Sequence, residues 1–416
     1  MKKVALVSLL VFGLVLGGFA GVFAQDQVEF AFDSRTDREK AFRQNLEEFG
    51  DQVKYNPLPG TSGKQLNYYT TRFAANSSTP DIINMDIVWP TTFASANWLL
   101  DLSKYAEEGW EDKFLQGYVN ALTVEGKLIG IPGTADALLF YYRKDLLDKY
   151  GFDHPPKTWY EMIAQAKVIL EGEDDENLRG ITFQGANIEG MLSNYLEFLW
   201  GLDGSILDED GNVIINNEKG VKALQMMIDL YRKYGVADKG VVTTKTDDSR
   251  VIFQDGRAVF MINWTYAWGR LQSDESAVKG KVGISTPPAF PGHDPNVCLG
   301  GWQFAINANT NHPDLAWKVV KELSSAESQK AHALIRGDLP TNKGVYEDEE
   351  VLEANPWYDD VLPILETGKS RPKSPAYPEV SSAIRNQLSA ALAGNKTPQE
   401  ALDAAARDLK ELPLYQ

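Results

Sequence analysis

Residues 28–49 read VEFAFDSRTDREKAFRQNLEEF. The first five residues, Val28 to Phe32, alternate in the two-residue period of a strand with one buried face. Phe42, Leu46 and Phe49 then fall at helical spacing within 36–49, so a strand is followed directly by an amphipathic helix. The same alternation recurs along the chain. Asp81 to Met85, behind Thr79-Pro80, reads as a short buried strand. Residues 158–171 (TWYEMIAQAKVILE) open with Thr158 as N-cap and Glu161 three positions on, a capping box. Residues 218–234 place Val221, Leu224, Met227, Ile228 and Tyr231 on one helical face and stop before Gly235. Two more helices are predicted over 376–393 and 397–411. Strands alternating with helices predict an α/β protein whose helices cover its sheets.

At 416 residues the chain is long enough for two or three domains. A composition of 43% hydrophobic and 24% charged residues is globular and excludes whole-chain disorder, collagen-like repeats and coiled coil. The formal net charge is −17, which repels phosphate backbones and anionic headgroups, so neither nucleic acid nor a membrane surface is expected as partner. A single cysteine, Cys298, excludes an internal disulfide and a cysteine-based zinc cluster. Ten tryptophans and seventeen tyrosines point to a use for flat aromatic faces.

Residues 1–24 carry Lys2 and Lys3, then an uncharged apolar run ending in Val22-Phe23-Ala24, the pattern of a cleaved export signal. An uncleaved anchor is the alternative, because the run is long enough to span a bilayer. Four glycines within it and the polar residues that follow favour cleavage. The mature chain is therefore expected to be soluble and extracytoplasmic. Loss of the two lysines would take its charge from −17 to −19.

No enzyme signature stands out. His154, His293 and His312 each lie within two residues of a proline and read as loop residues, and no histidine pair has metal-ligand spacing. Nucleophile-elbow, phosphate-loop and zinc-protease motifs are absent from the sequence. A carboxylate pair for glycoside hydrolysis stays open, because such residues can be far apart in a chain with 58 acids. Asp208-Glu209-Asp210-Gly211 lacks the remaining ligands of a calcium loop and reads as a turn between Ile206-Leu207 and Val213-Ile214-Ile215. No catalytic residue, metal or cofactor is expected.

Six stretches occur in order: ALLFYYRKDLLDKYGF (137–152), PPKTWYEMIAQAK (155–167), FQDGRAVFMINWTYAW (253–268), VKGKVGISTPPAFPG (278–292), LGGWQFAIN (299–307) and SRPKSPAYPEV (370–380). In this order and spacing the chain resembles the extracellular solute-binding proteins of ABC sugar importers, and among them the trehalose/maltose binders. The resemblance implies two α/β lobes joined by a hinge that the chain crosses three times, near residues 133, 278 and 338. An N-lobe of 25–133 plus 278–338 and a C-lobe of 134–277 plus 339–416 would follow. It also implies a sugar held in the cleft, delivery to a membrane permease, and a monomeric carrier.

A pyranose has apolar C–H faces and a belt of hydroxyls, so aromatic rings suit its faces and charged side chains its rim. Trp264 and Tyr266 in INWTYAW, and Trp302 in GGWQF, are the aromatic candidates, while Trp268 and Trp317 sit in helical apolar patterns and read as core. Gly301, beside Gly300, would allow close backbone approach. Asp86 ends a buried strand, where an acid faces the cleft of an α/β fold; its alternative is a helix N-cap. The resemblance adds Asp136 as a second acidic contact and Arg371 as a basic one, with a surface arginine as the alternative there. Three positions depart from the resembling group. Arg38 stands where an acid is expected, with Glu39 adjacent; Gln65-Leu66 replace an arginine, and Thr134 replaces a tyrosine. A sugar, either a disaccharide or another α-glucoside, is the expected ligand; the alternatives are an exported glycoside-acting enzyme, or a binder of a polyol, an oligosaccharide or a peptide.

Overall fold

A computed structural model describes residues 26–34, 36–58 and 62–412. The export signal expected over 1–24 lies outside the described residues. The opening strand–helix unit forms β1 (Val28–Asp33) and a helix over Thr36–Asn45. That helix is shorter than the predicted 36–49: a 3-10 segment, Glu47–Gln52, replaces its end, and Gly50 inside it takes φ +49°.

The remaining strands are β2 (Val53–Leu58), β3 (Ile82–Asp86), a small hairpin of β4 (Thr123–Val124) and β5 (Lys127–Leu128), β6 (Ile131–Arg143), β7 (Arg179–Thr182), β8 (Ala258–Trp264), β9 (Val282–Ser285), β10 (Leu299–Ile306) and β11 (Leu339–Pro340). Among the described residues they form a nine-stranded sheet in the order β2-β1-β3-β10-β6-β8-β7, with β9 and β11 also paired to β6. β1 runs parallel to β2 and β3, as α/β units require. β10 enters antiparallel between β3 and β6.

β6 is the spine. Its first half pairs with β10 and its second half with β8 and β9. Alternate side chains point to opposite faces of a strand. Accordingly Leu138 and Phe140 join a core with Trp159, Phe198 and Phe260, while Ala137, Leu139 and Tyr141 join another with Met261, Leu299 and Tyr358. A separate core holds Phe30, Phe32, Phe42, Tyr69, Phe93 and Ile306.

Local signals hold where they were read. Thr158 Oγ1 accepts from Glu161 N at 3.2 Å and caps the helix Trp159–Glu173, although the Glu161 carboxylate returns to Lys157 N rather than to the cap itself. The helices Glu218–Arg232, Tyr377–Ala393 and Pro398–Lys410 fall where periodicity places them. The turn at Asp210-Gly211 carries only an isolated bridge, Leu207 to Val213, with Asp208 Oδ1 accepting from Asp210 N and Asn212 N. Cys298 is buried, and Trp268 and Trp317 pack against the cores.

Candidate functional site

Five of the candidate residues, Asp86, Asp136, Trp264, Gly301 and Trp302, lie on four neighbouring strands. Asp86, the last residue of β3, pairs in register with Trp302 on β10. Trp302 lies opposite Thr134 on β6, and Gly300 opposite Asp136. Two residues on along β6, Leu138 pairs with Trp264 at the end of β8. Two strand ends, Asp86 and Trp264, and two residues inside strands, Trp302 and Asp136, therefore bring an acid, two indoles and a second acid onto neighbouring strands.

The glycine pair makes this arrangement possible. Gly301 has φ +129°, a backbone state that side chains rarely tolerate, and an added Cβ would stand 2.4 Å from Thr134 O. Its carbonyl accepts from Ile87 N at 3.1 Å. A Cβ on Gly300 would lie 2.6 Å from the Trp264 ring. The close approach these glycines permit is thus to Thr134 and to Trp264.

Asp86 is buried and accepts from Ser62 Oγ at 3.0 Å and Val88 N at 3.4 Å. It caps no helix, since the N-cap of the following helix, Pro90–Ser95, is Trp89. Burial pushes its carboxyl above the usual range; Arg371 opposes this and Glu189 adds to it. Arg371 is 5% exposed, which removes the surface-arginine alternative. Its Nη2 stands 3.5 Å from Asp86 Oδ1 and its Nη1 donates to Glu189 Oε1 at 2.9 Å. Burial alone would push Glu189 up, but Arg371, Ser381 and Tyr377 outweigh that and hold it below the usual range.

Asp136 faces the turn after β8. Its Oδ1 accepts from Thr265 N and Ala137 N, both at 2.9 Å, and from the Thr265 hydroxyl. Asp136 therefore fixes the backbone that carries Trp264 and Tyr266. Tyr266 is half-buried and donates to Asp247 at 2.9 Å. Trp302 is half-buried, meets Trp89 edge-on with centroids 5.8 Å apart, and has the Arg38 guanidinium 5.7 Å from its ring.

The departures also find their places. Arg38 is buried and donates to Asn84 Oδ1 at 3.2 Å, whereas Glu39 pairs with Arg43 instead. Gln65 is fully buried in the helix Ser62–Ala74. Two neighbours escaped sequence reading. Asp33 is fully buried at the carboxyl end of β1, beside β3. The strand-end rule that selected Asp86 selects it equally. Glu189, at the start of the helix Glu189–Trp200, gave no signal, because an acid in a first helical turn is commonplace.

The fold and this group of residues on adjoining strands define a two-lobed binding protein. The family model for bacterial extracellular solute-binding proteins matches residues 33–330, and the chain belongs to that family. A probable ABC transporter-binding protein of Deinococcus radiodurans is 35% identical over 387 residues, covering 91% of this chain and 90% of that protein. The solved structure of maltose-bound MalE3 from T. maritima superposes with a TM-score of 0.87 at 38% identity, covering 93% of this chain and 100% of that one. The GacH receptor of Streptomyces glaucescens, at 24% identity, shares the fold with a TM-score of 0.81, covering 93% of this chain and 98% of that one. Among the described residues no helix is long and apolar enough to cross a membrane, and no cluster of three or more metal-ligating side chains is present.

Proposed function

We propose that this chain is the extracytoplasmic receptor of an ABC importer that captures a sugar, a disaccharide or another α-glucoside, and hands it to a membrane permease without altering it. One observation carries the reading: Asp86, Trp302, Asp136 and Trp264 sit on adjoining register positions of β3, β10, β6 and β8. Indole faces beside carboxylates match the apolar faces and hydroxyl belt of a pyranose. The maltose bound by MalE3 supports the sugar class. Asp86, Asp136, Trp264, Tyr266, Gly301, Trp302 and Arg371 are the proposed contacts. Asp136 acts at least through the turn it holds.

Capture would proceed by closure of one lobe on the other, with contacts available only in the closed state shifting the equilibrium. The expected crossings near 133 and 338 are carried forward. β9 pairs with Phe140–Arg143 and Phe290 packs into the core of Phe198 and Phe260, so we place the remaining crossing at the start of β10 rather than near 278. The carrier is taken as a monomer, exported by residues 1–24.

A thermal-shift screen of the mature protein against mono-, di- and oligosaccharides, polyols, amino acids and peptides tests this. A ligand that binds only the folded state raises the melting temperature by mass action. Stabilisation by a disaccharide, recovered chemically unchanged, is expected. Stabilisation by a peptide and by no sugar overturns the proposal, and turnover of the sugar converts it to a glycosidase.

A further inference from the structure

Glu189 is remote in sequence from every proposed contact. Its Oε1 accepts from Arg371 Nη1 at 2.9 Å and from the Tyr377 hydroxyl, and its Oε2 accepts from the Ser381 hydroxyl. Arg385 Nε stands 3.9 Å from Oε2. The Arg371 side chain, 3% exposed, is therefore gripped from the helix side. From the β3 side it is held loosely, with Asp86 Oδ1 at 3.5 Å, and its buried Nε has no hydrogen-bond partner. The Trp264 ring lies 5.7 Å from the guanidinium.

The segment carrying Arg371 also reaches the elements beside β3. Lys373 Nζ donates to Asn120 O at 2.6 Å and Thr92 Oγ1 donates to Ser374 O at 3.2 Å. Glu189 and Arg371 both fall on one side of the proposed hinge, and Asp86 falls on the other. On that proposed division, opening would part Asp86 from Arg371, together with the Lys373–Asn120 and Thr92–Ser374 bonds, and leave Glu189 beside Arg371.

We propose that Glu189 is a positioning residue for solute capture: it fixes Arg371 so that the guanidinium is aimed at Asp86 before the lobes close. This rests on the reading that Arg371 contacts the solute. A buried guanidinium needs a compensating charge, and Glu189 supplies one that does not depend on closure. Tyr377 and Ser381 in turn fix the carboxylate. Arg371 can then donate from Nε or Nη2 to a solute hydroxyl whose own proton points at Asp86 Oδ1. That hydroxyl bridges the two lobes at the place where direct contact is loose. Holding a rotamer-rich side chain in its bound geometry in advance removes an ordering cost from binding.

Two measurements test it. In solute-free protein carrying ¹⁵N-labelled arginine, a slowly exchanging Nε–H signal, assigned by its absence from Arg371→Lys, is expected to exchange at least about tenfold faster in Glu189→Gln. Unchanged exchange overturns the positioning role. In calorimetric titrations with maltose, Glu189→Gln is expected to weaken binding about tenfold. The double variant Glu189→Gln/Arg371→Lys should be no weaker than Arg371→Lys alone, because Glu189 acts only through that guanidinium. Additive losses mean that Glu189 stabilises the fold generally, and they overturn the proposal. Wild-type protein that does not bind maltose counts against the sugar reading for that solute, while the exchange measurement still decides whether Glu189 holds Arg371.

Discussion

Trp302 and Asp86 are register partners on adjacent antiparallel strands inside the sheet, where β3 ends beside β10. Neither is solvated freely: the carboxylate is buried and the ring is half-buried against Trp89.

Trp302→Ala is expected to weaken sugar binding about tenfold or more while the melting temperature falls only slightly, since the ring is not in the centre of a core. Titration by calorimetry beside a melting curve checks this. Wild-type affinity in the variant would assign Trp302 to structure.

The two glycines are expected to separate. Gly301→Ala forces a side chain onto φ +129° and against Thr134 O, so it should lower stability by about 1–3 kcal/mol. Gly300→Ala instead displaces the Trp264 ring, which a Cβ would approach to 2.6 Å. It should reduce sugar affinity more than stability. Thermal melts and titrations of both variants give the comparison, and equal affinity in Gly300→Ala and wild type removes Trp264 from the site.

Glu197 is buried on the helix Glu189–Trp200, with Oε1 accepting from Cys298 N at 2.7 Å and Oε2 without a partner. Burial pushes its carboxyl well above the usual range, against the pull of the Cys298 amide. The folded chain therefore holds a proton that the unfolded chain releases near pH ~4.3, and stability is lost as pH rises above that value. Glu197→Gln keeps the acceptor without the ionisation. Its melting temperature should match wild type near pH 4 and exceed it increasingly toward pH 8. A constant difference across that range would show that Glu197 does not titrate in this way.

His332 is buried on the helix Ala326–Arg336, with its ring 4.9 Å from that of Phe42 and its Nδ1 3.5 Å from Asp338. Burial lowers its pKa from 6.5, outweighing the carboxylate. The unfolded chain takes up a proton that the folded one resists, so stability falls as pH drops below 6.5. His332→Gln should flatten the melting-temperature profile between about pH 5 and 7. A profile parallel to wild type would exclude His332 as the source.

What the sequence determined by itself is local. Period-2 and helical spacing, the Thr158 cap and the stop before Gly235 each depend on contacts within a turn or two, and the corresponding elements form. Asp86, Trp264 and Trp302 were legible for the same reason: each sits at or beside a strand end or a glycine pair, features written in neighbouring residues. Only the tertiary structure decided what those residues face. The antiparallel entry of β10 sets Trp302 opposite Asp86, and ladder register follows from backbone bonds and burial between distant segments. Arg371 and Glu189 meet across 182 residues of chain, so nothing near either one announces the pair. The burial that turns Arg371 from a surface cation into a held donor belongs to the packed fold, because the desolvation that forces a charge to find its partner exists only there.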